Sequence, residues 1–510
     1  MQSSTVRRGV VGAAVGAAWL AALYVVAPLV GVFAPITVAE GIIVRSPGWL
    51  STLAVSTLGF SAKPFLLGSV VVGILALSTA AWILWPRERE VARPLAVVVG
   101  VGVTIVAVAL AGGDLSFVSA FSVALVVGVP YAVSRLLSAP TQSDDRRRFL
   151  SRLGTVAAIG TGSIVGLRVA FDRLAAGDSR GQFRDLDGDA PATGASEGGD
   201  GAGDAPADAL GDPRFDFAAM PAAVTPPGEH YVVDINIRPP TVDPETWTLD
   251  VDGAVEEPYS LSYDELRDHD GSVEQVTTML CISNTVGGDL IGTSRWTGVQ
   301  LSDLVAEAGP TDAAVDVVTH AEDGYSEAIP LDIVEREDIL IAHQLGSDPL
   351  PRKHGFPARL LVPGRYGMKM TKWITRIELA EREHEAYWEQ RGWNEAAVVN
   401  TMSYVRGAVR DGERVTVGGV AFGGLETGVA EIAAVEVSVD GGSSWAEAEL
   451  ESPIAPHAWR RWRYAFDAPD RSEFEVVVRA IRRDGTVQTE ERSSPRPNGA
   501  TGWHRKTVQV

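Results

Sequence analysis

Hydrophobic and polar positions follow three different rhythms along this chain. Residues 9–34 are almost uninterruptedly apolar, and similar runs follow at about 65–85, 95–111 and 115–137, with a weaker fifth run over about 153–171. Each of the first four is long enough to cross a hydrocarbon core of roughly 30 Å as a helix, and so many long runs with few charges predict membrane spans rather than buried core helices. From about 177 to 225 the chain is Asp, Gly, Ala and Pro without apolar periodicity, the composition of a solvated tether. Beyond about 231 the rhythm shortens to strands such as 247–251, helical pieces such as 301–308 and many turns, which reads as α+β. From about 403 it becomes strands at 414–418, 432–439, 445–450, 461–465 and 473–480, with Asp440-Gly441-Gly442 as a hairpin signal. Their number and spacing predict an immunoglobulin-like β-sandwich. The expected protein is multi-domain: an N-terminal all-α transmembrane bundle of four spans over 1–140, a signal-like segment and fifth span over 141–173, a linker over 174–229, an α+β domain over 230–400, and a sandwich over 401–510.

Basic residues orient the spans. Arg7 and Arg8 precede the first, Arg87, Arg89 and Arg93 lie between the second and third, and Arg146, Arg147 and Arg148 follow the fourth. With these clusters on the cytoplasmic side the fifth span delivers everything after about residue 172 to the outer face, so the expected location is the cell membrane with the later domains extracellular. Arg45 and Lys63, in what reads as the first outer loop, dissent mildly. Asp145-Arg146-Arg147-Arg148-Phe149-Leu150-Ser151 resembles a twin-arginine export signal, which carries domains across already folded.

Composition narrows the partners. The formal net charge is -21, with 65 acidic against 44 basic residues, and lysine occurs only at Lys63, Lys353, Lys369, Lys372 and Lys506. A carboxylate-rich chain poor in lysine resembles proteins of salt-loving archaea, and it argues against nucleic acid as a partner. All eight histidines lie at His230 or later, and Met1 is the only methionine before Met220. The spans therefore lack the usual axial ligands and no haem is expected in them, leaving electron relay to a separate protein.

Cys281 is the only cysteine, and it ends a β-like run and opens a loop rich in Ser, Asn, Gly and Thr. Such a loop offers backbone N–H groups with little side-chain bulk, suited to close approach by a large polar ligand. Thr293-Ser294-Arg295-Trp296-Thr297-Gly298 follows it, and His354-Gly355-Phe356-Pro357-Ala358-Arg359 and Met370-Thr371-Lys372-Trp373 come later. In this order the segments resemble the sulfite-oxidase-type molybdenum enzymes, as does Val435 to Trp445 in the C-terminal domain of that family.

The resemblance implies a molybdenum-molybdopterin cofactor with Cys281 as its thiolate ligand, and a C-terminal domain that forms homodimers. His354, Arg359, Met370, Thr371 and Lys372 then fall at pterin and phosphate contacts, with Asp323 near another. Asp234 and Asn236 stand where the family has an Arg-x-His pair, and Trp393 where it has a tyrosine near the metal. Thr285 and Val286 replace arginines that hold sulfite. A pocket stripped of those arginines and given a carboxylate pulls in a small anion poorly. The expected activity is oxygen-atom transfer on a small S- or N-oxide, shaped by Asp234, Asn236 and Trp393. The rivals are a sulfite dehydrogenase with an altered anion pocket and a non-catalytic surface protein that keeps the fold.

Overall fold

Among apolar runs the helix is the form that satisfies every backbone group within one segment, and the N-terminal residues adopt it. The computed structural model describes residues 2–30, 34–46, 54, 62–84, 129–133, 210–236, 239–426, 428–467 and 473–509. It divides into two units, Met1–Thr193 and Gly194–Val510. In the first, α1 (Gln2–Val30), α2 (Ala34–Arg45) and α3 (Ala62–Leu84) are helical. Two helices, through Arg8–Val25 and Ala62–Leu84, are long and apolar enough to cross a membrane. α1 and α3 touch closely: Ser78 Oγ donates to Gly12 O at 2.8 Å. A Cβ on Gly12 would stand 2.8 Å from Thr79 Cα, so the glycine is what permits the contact. α2 occupies part of the stretch that the sequence reads as an outer loop. The third and fifth expected spans, most of the fourth, the twin-arginine-like segment and the linker up to residue 209 lie outside the described residues.

The second unit begins with two sheets sharing one core. β1 (Thr248–Gly253) and β2 (Tyr259–Ser262) form a hairpin that leads into α4 (Tyr263–Arg267), whose first turn is closed by a capping box between Ser262 and Glu265. β3 (Ser272–Leu280) and β4 (Ile291–Gln300) pair antiparallel on either side of the Cys281 loop, and α5 (Leu301–Ala308) follows, coinciding with the expected helix. Next come β5 (Asp316–Ala321), β6 (Ser326–Pro330), β7 (Leu340–Leu345), β8 (Asp348–Pro349), β9 (Arg359–Leu361) and β10 (Ile374–Ala380). The orders are β2-β1-β10-β5-β6 and β3-β4-β7-β8, with β9 also on β7. β1 and β10 run parallel, Val251 opposite Ile377, and the other pairs are antiparallel. Leu249, Trp296, Leu304, Leu340, Leu360 and Ile377 belong to one buried cluster, so both sheets and α5 pack on the same apolar interior.

The last domain is a two-sheet sandwich. β11 (Met402–Asp411) and β12 (Arg414–Phe422) form a long hairpin, followed by the short β13 (Gly424–Leu425) and β14 (Gly428–Val429). β15 (Ile432–Ser438), β16 (Ala446–Glu447), β17 (Glu449–Leu450), β18 (Arg460–Asp467), β19 (Glu473–Arg482) and β20 (His504–Gln509) complete it. The sheets β11-β12-β18-β17 and β16-β15-β19-β20 face each other across Val417, Val435, Trp462 and Val476. The turn between β15 and β16 is the one its sequence predicts: Asp440 Oδ1 accepts from the backbone N of Ser443 and Ser444, both at 2.9 Å.

β3 is also tied to the sandwich, since Thr278 N donates to His457 O at 2.9 Å and Trp459 N to Thr278 Oγ1 at 2.7 Å. The end of β3 and the sandwich are thus joined where the Cys281 loop begins.

Candidate active site

Cys281 follows the last residue of β3 and donates its N–H to Leu290 O at 3.0 Å, which keeps the two ends of its loop together. Asn284 braces the interior, accepting from Leu290 N at 3.1 Å. The sandwich holds the far side: Arg406 donates to Gly287 O at 3.0 Å, to Gly288 O at 2.7 Å and to Asp289 Oδ1 at 2.9 Å. Gly287 has φ +81° and faces His504, whose Nε2 a Cβ would meet at 2.2 Å. Only glycine suits both constraints. Within the loop Cys281 is 8 % exposed, with Sγ 3.0 Å from Ser283 Oγ. Burial pushes its thiol up from the usual range. Such a sulfur makes a poor nucleophile by itself, but a metal ion would deprotonate it outright.

Behind the loop lies a buried group of polar atoms that the protein leaves without partners. Arg359 is 3 % exposed. Its guanidinium donates to His354 O at 3.1 Å, sits 5.3 Å from the Trp296 ring centroid and meets no carboxylate among the described residues. Burial lowers it to about 10. The His354 ring stands edge-on to His230 at 5.7 Å, and His230 stacks on Tyr231 at 5.2 Å. His230 Nε2, Tyr231 Oη and His354 Nε2 are buried with no hydrogen-bond partner. Tyr231 connects this group to the thiol, because its phenol is in electrostatic reach of both Cys281 and Arg359. Burial holds His230 neutral, at about 4, and pulls His354 lower still, helped by the positive charge of Arg359.

Gly355, at φ +113°, lets the His354 turn approach β9 and Lys372. Lys372 Nζ donates to Asp234 Oδ2 at 3.0 Å and to Lys353 O at 3.1 Å, with burial lowering it to about 8. Asp234 also accepts from Asn236 N at 2.9 Å, and Asn236 Nδ2 donates to Asp323 Oδ2 at 2.7 Å. Lys372, Asp234, Asn236 and Asp323 therefore form one continuous hydrogen-bonded edge. Met370 and Thr371 behave differently: Met370 is a core side chain, and Thr371 Oγ1 faces Thr319 Oγ1 at 2.7 Å. Both side chains are buried, at 3% and 0% exposure. Trp393 stacks edge-on with Trp388 at 6.1 Å and packs on the cluster of Leu280, Ile282, Tyr366 and Met368 that flanks Cys281.

His230 and Arg406 are residues that sequence reading did not select. His230 stands four residues before Asp234, and that proximity is its only signal in the sequence. Arg406 had none. Between the loop and a segment of the sandwich, a cavity of about 320 Å³ is lined by Thr285, Val286, Arg492, Ser493, Ser494, Pro495 and Ala500.

A buried arginine without an acid, three orphaned buried polar atoms and a single recessed thiol describe a protein built to enclose a large anionic group that carries a metal. Residues 236–388 match the family model "Oxidoreductase molybdopterin binding domain" and residues 394–510 match "Mo-co oxidoreductase dimerisation domain". Mitochondrial sulfite oxidase of Mus musculus is 30% identical over 326 residues, 53% of this chain and 59% of that protein. The oxidoreductase YuiH of Bacillus subtilis is 31% identical over 152 residues, 30% of this chain and 74% of that protein. The sulfane dehydrogenase SoxCD from Paracoccus pantotrophus shares the fold, with TM-score 0.51 and 20% sequence identity over 65% of this chain and 94% of its own. The match thus spans a little over half the length of the mammalian relative. The chain belongs to the sulfite-oxidase-type molybdopterin oxidoreductases.

The residues present fit that cofactor. Arg359 offers a planar fork to a phosphate and Lys372 a compact charge, while His354 and Tyr231 retain free donor or acceptor positions. Cys281 would supply a soft thiolate ligand to the metal.

Proposed function

We propose that this protein is a membrane-anchored oxidoreductase, facing outward, that transfers an oxygen atom to or from a small S- or N-oxide. When bound, the molybdenum cofactor supplies a two-electron centre for that exchange. Cys281 ligates it, and His354, Arg359 and Lys372 hold the pterin and its phosphate. Asp323, with the backbone of Met370 and Thr371, closes the same side. Asp234, Asn236 and Trp393 shape the face presented to substrate. Electrons pass to or from a separate electron-transfer protein, and the C-terminal sandwich, of immunoglobulin type by its strand pattern, supports a homodimer.

The carrying observation is the cavity wall. Thr285 and Val286, in the loop that begins at Cys281, line it and bring no positive charge. Asp234 is paired with Lys372 at 3.0 Å, and its carboxylate offsets the lysine's pull on a small anion at that edge. A neutral oxide needs neither. Arg492 in the same wall favours a second reading, sulfite dehydrogenation with the anion site moved to the sandwich.

A substrate screen on holoprotein with a reduced viologen dye separates them. Oxide-dependent dye oxidation supports the first reading, and sulfite-dependent reduction of a one-electron acceptor with no oxide turnover replaces it by the second. Cys281→Ser is expected to abolish either activity and to lose molybdenum by metal analysis. Equal activity and equal metal in both proteins would remove the cysteine from the mechanism.

A further inference from the structure

Beneath the cofactor segment, Lys369 sits between two carboxyl groups. Its Nζ lies 2.6 Å from Glu327 Oε1 and 2.7 Å from Glu389 Oε1, and the three side chains are 4%, 0% and 5% exposed. If all were ionised the cluster would hold one uncompensated negative charge out of reach of water, an arrangement that folded proteins avoid by protonation. Lys369 and Glu389 are the charged groups that act most strongly on Glu327, Tyr325 is its titratable neighbour at 3.1 Å, and the buried Arg391, two residues past Glu389, bonds Tyr387 O and lies over the Tyr387 ring.

Counting hydrogens locates the proton. Glu327 Oε1 accepts from Lys369 and from Ala328 N at 3.0 Å, while Glu389 Oε2 accepts from Ala386 N at 2.8 Å. The remaining Glu327 oxygen, Oε2, lies 3.1 Å from Tyr325 Oη. Tyr325 has one hydrogen to give, and Met368 O stands nearer, at 2.5 Å. With that hydrogen on Met368 O, the phenol turns a lone pair toward Glu327, and a hydrogen on Oε2 satisfies the contact. Burial acts the same way, raising Glu327 to about 7.

The cluster adjoins the site on two sides. Thr319 Oγ1 donates to Glu327 O at 3.4 Å and meets Thr371 Oγ1 at 2.7 Å. Tyr325 N donates to Asp323 Oδ1 at 3.0 Å, and Met368 packs with Leu280 and Ile282 around Cys281.

We propose that Glu327 is a positioning residue that holds a proton beside the cofactor site and so sets the charge against which electrons are added there. Protonated, Glu327 leaves Lys369 and Glu389 as a neutral pair. Ionised, with its proton released to water, it leaves a buried negative charge that opposes reduction. This rests on the redox reading of the site and holds for either direction of turnover.

Infrared difference spectra of pterin-free protein between about pH 5 and about pH 9 test the proton itself. The wild type should lose a carboxylic-acid carbonyl band centred near neutral pH, and Glu327→Gln should lack that band. Glu389→Gln removes the repelling neighbour and should move the band's titration to lower pH. In holoprotein the reduction potential should fall as pH rises through about 7, and Glu327→Gln should flatten that fall while retaining molybdenum. Should Glu327→Gln not fold, Tyr325→Phe, which takes away the hydroxyl acceptor, must shift the wild-type band. The proposal is overturned by a wild type without a band titrating near neutral pH, by a band that persists in Glu327→Gln, or by a potential whose pH dependence Glu327→Gln leaves unchanged. Because the infrared measurement needs no cofactor, loss of the redox reading would show separately, as absent molybdenum.

Discussion

At the level of single residues, the site is marked by what it fails to satisfy. Arg359 keeps its charge in a pocket without a counter-ion, and its burial should cost the pterin-free protein stability that only an anionic ligand restores. Arg359→Met is therefore expected to lower pterin and molybdenum content at least about tenfold while leaving the apoprotein as stable as wild type or roughly 1 kcal/mol more so. Inductively coupled plasma analysis and urea titration would check the pair. An apoprotein weakened by several kcal/mol would instead make Arg359 an ordinary structural residue.

His230 gives a pH signature. Its folded-state value, about 4, lies below the ordinary 6.5 because burial disfavours the cation. The unfolded chain thus binds more protons than the folded one between those values. This contribution is complete above about 6.5 and is lost as pH falls toward 4, amounting to at most about 3 kcal/mol. His230→Gln should flatten the apoprotein's stability curve in that window, and an unchanged slope would contradict the assignment. Cys281, Arg359 and Lys372 are singled out in the sequence by residue type, order and family resemblance. The orphaned His230 Nε2 is not, because being unpartnered is a property of the folded surroundings.

Secondary-structure elements were legible wherever the cause is local. α5 carries its own apolar spacing, and the Asp440 turn makes its bonds within four residues. The parallel pairing of β1 with β10 and the grip of Arg406 on the cysteine loop involve residues far apart in sequence, and no local pattern encodes them. That grip has a clear energetic order. Asp289 is 97% exposed, so its pair with Arg406 contributes little, whereas the bonds to Gly287 O and Gly288 O are shielded. Arg406→Ala is expected to destabilise the second unit by roughly 3–6 kcal/mol, about the sum of two charge-assisted bonds. Hydrogen exchange should quicken across residues 284–289. Protection unchanged there would mean that the loop stands without the sandwich, and Arg406→Lys, lacking the fork, should recover the defect only in part.

For the molecule as a whole, charge dominates. The full chain carries -21, and among the described residues several basic groups are committed to internal pairs, such as Arg461 with Glu451 and Arg479 with Glu436. Excess carboxylates that face one another repel over about 10 Å at 0.1 M salt and over far less at 1 M. The cores of both domains and the β3 joint lie within Gly194–Val510, so that unit should fold when produced without the N-terminal helices. Its stability should then rise with added sodium chloride, since screening relieves repulsion in the folded state more than in the expanded chain. The same field acts on partners: a one-electron carrier with a basic face would associate quickly at low salt and more slowly as salt is added. Thermal unfolding and stopped-flow reduction, measured over one salt series, should therefore move in opposite directions. If stability and association both rise with salt, repulsion within the fold is real but the carrier is not held by charge, and its docking face must be sought among apolar surfaces instead.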